Sequence, residues 1–260
     1  MGDGLVRCAA CDRRSSATAG TIFAGTRTPL TLWFAAAWYI TNQKSGVSAL
    51  GLQRALALGS YKTAWAWLHK FRRAMVRPSR DRLSGELEVD ESYIGGVAPG
   101  KPGRGAEKKT AVAIAVEKRG RGMGRIRLAR ITDTSADSLL PFIEEAIEAG
   151  SVVYTDGHKG YKPLARAGYL HEPTSIWTTD DPAHVAMPRV HRVSSLLKRW
   201  LLGTHQGAVR AQQLDYYLDE FTFRFNRRSS NHRGLLFYRL LEHAVQIDPK
   251  PLAKLLGGSS

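Results

Sequence analysis

Cysteine is nearly missing from this chain: there are two in 260 residues, Cys8 and Cys11. A CxxC pair is poor ground for a structural disulfide, which argues against a disulfide-stapled secreted fold and leads us to expect a reducing cytoplasm. Acid is scarce as well, with 23 Asp and Glu against 38 Lys and Arg and a formal charge of +15. An excess of that size, spread along the chain and larger than solubility needs, points to a polyanionic partner, most simply nucleic acid. Long apolar runs are also missing. The longest, residues 30–40, is about a dozen residues where a bilayer span takes about 20. The N-terminus carries no signal-peptide pattern, so no membrane is expected. What is present is a globular composition, 43% hydrophobic and 23% charged, enough for one large domain or two to three small ones.

Residues 87–96, LEVDESYIGG, place an acid where a core strand belongs. Leu87, Val89 and Tyr93 alternate with Glu88, Asp90 and Ser92, the period of a β-strand. Burying Asp90 is costly unless it is paired or binds a metal. Further strand signals lie at 110–117 and 124–131, followed by a helix opened by a capping-box-like Thr134-Ser-Ala-Asp137 and a short apolar strand at 151–155 that ends in Asp156. A helix at 161–167 and a fifth strand at 174–178 complete the pattern. The helical crossover makes the fourth strand parallel to a neighbour. If that neighbour is the first strand, Asp90 and Asp156 lie side by side, in the order of a ribonuclease H-like mixed sheet flanked by helices. Two adjacent carboxylates repel unless a cation sits between them, and hard oxygen donors favour Mg²⁺ or Mn²⁺. The next candidate ligand is His191, at the start of an amphipathic helix after Pro188, with Lys198 two turns on along the same face. His191 is equally readable as a cap or surface residue. Glu91, on the opposite strand face from Asp90, reads as structural or as a support for the site's ligands, and Glu220 on a late helix is the fallback third ligand. Arg224, Arg227 and Arg228 read as phosphate contacts or solvated charges.

Residues 29–77 read as helices. A short helix and a second one carrying Lys62, Lys70, Arg72 and Arg73 fit a helix-turn-helix, with a plain three-helix bundle as the alternative. The basic glycine-rich loop 95–109 lacks the spacing of a nucleotide-binding loop. It reads either as a phosphate-contacting loop, through Lys101, Arg104, Lys108 and Lys109, or as a solvated hairpin tip; Arg199 joins the expected DNA contacts. One CxxC is half of a tetrahedral zinc site, so residues 1–28 read as a zinc-ribbon remnant or a spacer, and zinc is not assigned. The expected domains are 1–28, the helix-turn-helix at 29–82, the catalytic domain at 83–247 and a tail at 248–260.

Taken in order, VDESYIGG, GKPGRGAEKKT, YTDGHKGY, HRVSSLLKRWLLGTHQG and YLDEFTFRFNRR resemble bacterial insertion-sequence transposases of the family numbered fifteen-ninety-five. The resemblance extends over nearly the whole chain, including LTLWF and GLQRALALGSYKTAW in the N-terminal helices. It implies a zinc ribbon, a helix-turn-helix and a DDE-type ribonuclease H-like nuclease with two Asp, a variable third residue and a Lys seven positions later. These fall on Asp90, Asp156, His191 and Lys198. His191 departs from the usual Asn or Glu, and the absent second CxxC implies a chain shorter than a full family member. The implied activity is two-metal cleavage and joining of double-stranded DNA at terminal inverted repeats and a target. The implied partners include a homodimer or larger synaptic complex, and the implied place is the bacterial cytoplasm, at the nucleoid. The alternatives are a catalytically silent DNA-binding protein derived from such an element, and a structure-specific or repair nuclease.

Overall fold

The structure is a computed structural model that describes residues 5–77, 79–95, 109–174, 187–207 and 209–255. It divides into two compact units, residues 1–78 with 230–260 and residues 79–229.

The first unit is helical. A small hairpin, Leu5–Arg7 (β1) and Arg14–Ser16 (β2), holds Cys8 and Cys11 exposed in its connection. Three helices follow, Leu30–Asn42 (α1), Ala49–Ala55 (α2) and Tyr61–Ala74 (α3). Pro29 precedes α1, and the Ser48 hydroxyl accepts from Gly51 N at 3.0 Å to cap α2. The core is aromatic: Trp33 stacks on Trp67 at 3.9 Å between centroids, with Phe23 and Phe71 edge-on. The C-terminal helices Arg233–Ala244 and Leu252–Leu255 belong to this unit, whereas the expected catalytic domain ran to 247. Ile22 N donates to Ala244 O at 3.2 Å, and His243 Nδ1 lies 3.1 Å from Ala74 O.

The second unit is a five-stranded mixed sheet flanked by helices. Its strands are Glu86–Ile94 (β3), Thr110–Arg119 (β4), Gly122–Ile131 (β5), Val152–Thr155 (β6) and Leu170–Pro173 (β7). The order is β5-β4-β3-β6-β7, antiparallel among the first three and parallel from β3 onward. Because side chains alternate along each strand, every strand feeds two cores. Leu87, Val89, Ala111, Ala113 and Ala115 face helix Ala136–Ala146 (α4) and Tyr161. Val112, Ile114, Val116, Ile126 and Leu128 face helices Pro188–His205 (α5) and Leu214–Asn226 (α6). This is the α/β class expected, consistent with a ribonuclease H-like sheet.

Local details differ from the sequence reading. The Asp133 carboxylate, not a capping box, receives Ser135 N and Oγ at 2.9 and 2.6 Å ahead of α4. The helix expected at 161–167 is a 3₁₀ segment, Lys159–Ala165. The fifth strand comes earlier than 174–178, because the chain reverses at Gly168 and pairs at once with β6 over Leu170–Pro173. Residues 175–178 lie outside the described residues.

Candidate active site

Asp90 sits in the middle of β3, on the sheet face that packs against α5. Its Oδ1 accepts from Glu91 N at 2.8 Å, and its Oδ2 lies 3.9 Å from His191 Nδ1. Asp156 follows the last residue of β6. The parallel register pairs Glu88 with Tyr154, so two residues further along the same strands Asp156 comes beside Asp90. The chain turns there: Asp156 Oδ1 accepts from His158 N at 2.9 Å, and Gly157 takes φ +75°, a conformation that favours glycine.

On the other face, Tyr161 closes the arrangement. Its hydroxyl donates to Glu91 Oε2 at 2.8 Å, tying the segment after β6 to β3. Burial first, and then the charges of Glu91, Asp90 and Asp156, raise the phenol well above its ordinary pKa. Three carboxylates thus act on one buried ring. Gly160 fits tightly beside it, since a Cβ there would come within 2.4 Å of Thr134 O.

The helix carrying His191 is held by Glu88, a residue the strand pattern alone assigns to the polar column. Glu88 is 2% exposed. Its Oε2 accepts from Arg189 N at 2.7 Å and Val190 N at 2.9 Å, and its Oε1 pairs with the Arg189 guanidinium at 2.8 Å. One carboxylate therefore satisfies two of the donors that a helix N-terminus leaves open, and complements the helix dipole. Arg189 continues outward to Gly120 O at 2.7 Å and Gly122 O at 2.9 Å, pinning the β4–β5 hairpin. A turn further along, Ser194 Oγ meets Ser92 Oγ at 2.8 Å. Lys198 is exposed, and partial desolvation and then Lys109 lower its pKa while Asp90 pulls the other way. Lys198 is thus close enough to feel both Asp90 and Lys109.

The two carboxylates suit a hard divalent cation, and the imidazole is a weaker third donor for it. Among the described residues, no group of three or more His, Cys, Asp or Glu is gathered closely enough to hold a metal ion. The structure brings Asp90 and His191 together, places Asp156 directly after the strand parallel to β3, and leaves Glu220 committed elsewhere. Glu220 is fully buried and committed to Arg224 at 2.7 Å, so it is part of the core of α6.

The expected DNA contacts separate into two groups. Lys62 and Arg199 are exposed. Lys70 is turned inward: its ammonium donates to Ile22 O at 3.1 Å and lies over the Trp33 ring, and burial followed by the Arg73 charge lowers its pKa. Arg72 is 2% exposed, and the Arg73 guanidinium donates to Asp248 O at 2.9 Å. Lys70 and Arg72 therefore serve the fold of the helical unit. Lys101, Arg104 and Lys108 lie outside the described residues. No helix among the described residues is long and apolar enough to cross a membrane.

Compared with known proteins, the chain matches the family model described as the ISXO2-like transposase domain over residues 82–226, more than half its length. No curated protein matches it. The matched segment begins just before β3 and ends at the last residue of α6, so it contains the whole sheet and every residue of the site above.

Proposed function

The chain belongs to the family of ISXO2-like transposases, whose activity is the cleavage and joining of DNA, and we propose that it acts at the ends of an insertion element through Asp90, Asp156 and His191. Asp90 and Asp156 would hold Mg²⁺ or Mn²⁺ and His191 would complete the donor set. When bound, the ions supply Lewis-acid polarisation of the scissile phosphate and stabilise charge on the attacking and leaving oxygens. Lys198, two helical turns from His191, contacts a phosphate oxygen beside the reacting one and holds the strand in line. Glu88 keeps the His191 helix against β3, and the Tyr161–Glu91 bond keeps the Asp156 turn beside it. The strand is transferred directly, with no covalent enzyme intermediate. Helices α2 and α3 act as a helix-turn-helix that presents Lys62 to the terminal repeats. Two ends must meet, so the working form is a dimer or larger, in the cytoplasm at the nucleoid.

The observation that carries this reading is the parallel pairing of β3 with β6, with His191 3.9 Å from Asp90. The test is strand cleavage and joining on duplexes carrying the element ends in Mg²⁺. Asp90→Asn lowers the rate at least about a thousandfold; a variant that still nicks and joins at the wild-type rate refutes the assignment. A second reading, a DNA-binding protein with a silent catalytic unit, draws on His191, because imidazole is a poorer Mg²⁺ ligand than carboxylate. Wild-type protein that binds element ends but never nicks them in Mg²⁺ or Mn²⁺ would establish it.

A further inference from the structure

At the hairpin end of the sheet, where β3 begins, a cavity of about 400 Å³ opens between β4–β5 and the residues after α6. Four of its lining side chains are cations, Lys118, Arg119, Arg125 and Arg228, against one carboxylate, Glu117. Two of the four are already neutralised. Arg125 forks onto Glu117 at 2.6 to 3.1 Å, and Lys118 pairs with Glu86 at 2.5 Å. Arg119 and Arg228 make no ion pair among the described residues. Arg119 is exposed, while Arg228 lies over the Phe225 ring and donates to the carbonyls of Phe225 at 2.8 Å, Gly124 at 3.3 Å and Met123, which leaves its remaining N–H groups for a ligand.

The walls are preformed. Arg189 grips the hairpin at Gly120 and Gly122 from one side. From the other, the Asn226 amide pairs with both Ile126 N and Ile126 O, at 2.8 and 3.1 Å, as a neighbouring strand would. Two like charges therefore line one polar cavity on a backbone held from both sides. Burial, and after it the charge of Arg119, lowers the Arg228 guanidinium from its ordinary pKa. That repulsion is relieved by an anion between them, and guanidinium pairs suit the oxygens of phosphate.

We propose that this cavity is a phosphate-binding site in which Arg119 and Arg228 bridge a backbone phosphate of duplex DNA, anchoring it at the opposite end of β3 from the Asp156 turn. The oxyanion chemistry stands on the cavity itself; DNA as the source of the phosphate rests on the transposase reading.

The test uses the full chain and two probes. Inorganic phosphate is titrated at ionic strength held constant with chloride while the melting temperature is followed. It raises the melting temperature of wild type and of Asp90→Asn but not of Arg119→Ala, whose exposed side chain is removed without disturbing the core. With a duplex, Arg119→Ala flattens the dependence of log K on log salt by about one contact, and Arg119→Lys restores part of it. An equal phosphate response in wild type and Arg119→Ala overturns the site. A lost phosphate response with an unchanged DNA salt slope overturns DNA as the source. Because Asp90→Asn keeps the phosphate response, failure of the cleavage assignment and failure of this one are read separately.

Discussion

Along β3 the sheet changes sign, from guanidiniums gathered around Glu117 at the hairpin to Asp90 and Asp156 toward its other end. At the hairpin each acid has a cation in contact, and two further arginines, Arg119 and Arg228, line the same cavity without a carboxylate partner among the described residues. At the other end the bonds to the acids include neutral donors, Glu91 N and His158 N on the aspartates and the Tyr161 hydroxyl on Glu91, with His191 and Lys198 nearby. Both arrangements keep like charges together at some expense to stability, which is the mark of a surface built to meet something of the opposite charge. A largely buried pair joins the two. Glu88 holds the helix of His191, while its partner Arg189 holds the hairpin.

The comparison is broken most severely at that joint. Glu88→Ala leaves the Arg189 guanidinium without its carboxylate and two helix-terminal N–H groups without their acceptor, and it destabilises the chain by about 3–5 kcal/mol. Urea unfolding of the full chain measures it, with Glu88→Gln expected to lose less because it keeps an acceptor. If both ends depend on the pair, Glu88→Gln also weakens the phosphate response at the hairpin.

An acid at neither end gives the next effect. Asp219 on α6 has its pKa raised to about 7 from 3.8, chiefly by burial, with Arg80 opposing and Asp215 adding to the rise. The folded chain therefore keeps a proton that the unfolded chain gives up. The contribution of this group to stability is full below 3.8 and is lost as pH rises through about 7. Asp219→Asn is expected to stabilise the protein at pH 8 by about 1–3 kcal/mol, discounted for partial exposure, and to change little at pH 3.5. A stability difference independent of pH would show that Asp219 does not titrate in this way.

Tyr161→Phe comes third. It removes one hydrogen bond to a carboxylate and should cost about 1.5–3 kcal/mol at neutral pH. If the bond positions the Asp156 turn, the variant also needs more Mg²⁺ for half-maximal cleavage while its DNA affinity is unchanged. A purely structural bond would change stability alone.

Much of this sheet was legible in the chain. β3 has the period of a strand and β4 is a short apolar run, and a carboxylate at Asp90 stands out because an apolar core has no use for it. The order of strands and crossover then makes Asp156 its natural neighbour. Glu88 was not legible in the same way. It lies two residues before Asp90 on the same face, but a Glu in an alternating strand reads as solvated until a helix N-terminus is known to press on it. Arg72 could have been read better: it stands four residues after the buried Leu68, so it shares that helix face, and in the structure it is buried with it. Basic residues counted along a helix overstate its DNA-binding face unless each is assigned a direction.

The smallest effect checks whether burial, and not ion-pair chemistry as such, makes Glu88–Arg189 decisive. Arg130 on β5 pairs with Asp215 on α6 at 3.1 Å, but the two side chains are 43% and 51% exposed, against 17% and 3% for Arg189 and Glu88. Water screens the exposed pair, and removing Arg130 leaves Asp215 solvated. Arg130→Ala is therefore expected to change stability by no more than about 0.5 kcal/mol, and less still at 1 M salt. Denaturation of Arg130→Ala beside Glu88→Gln measures the contrast directly. Equal losses would mean that the charge pairs of this unit act alike wherever they sit, and that Glu88 is not the joint between the two ends of the sheet.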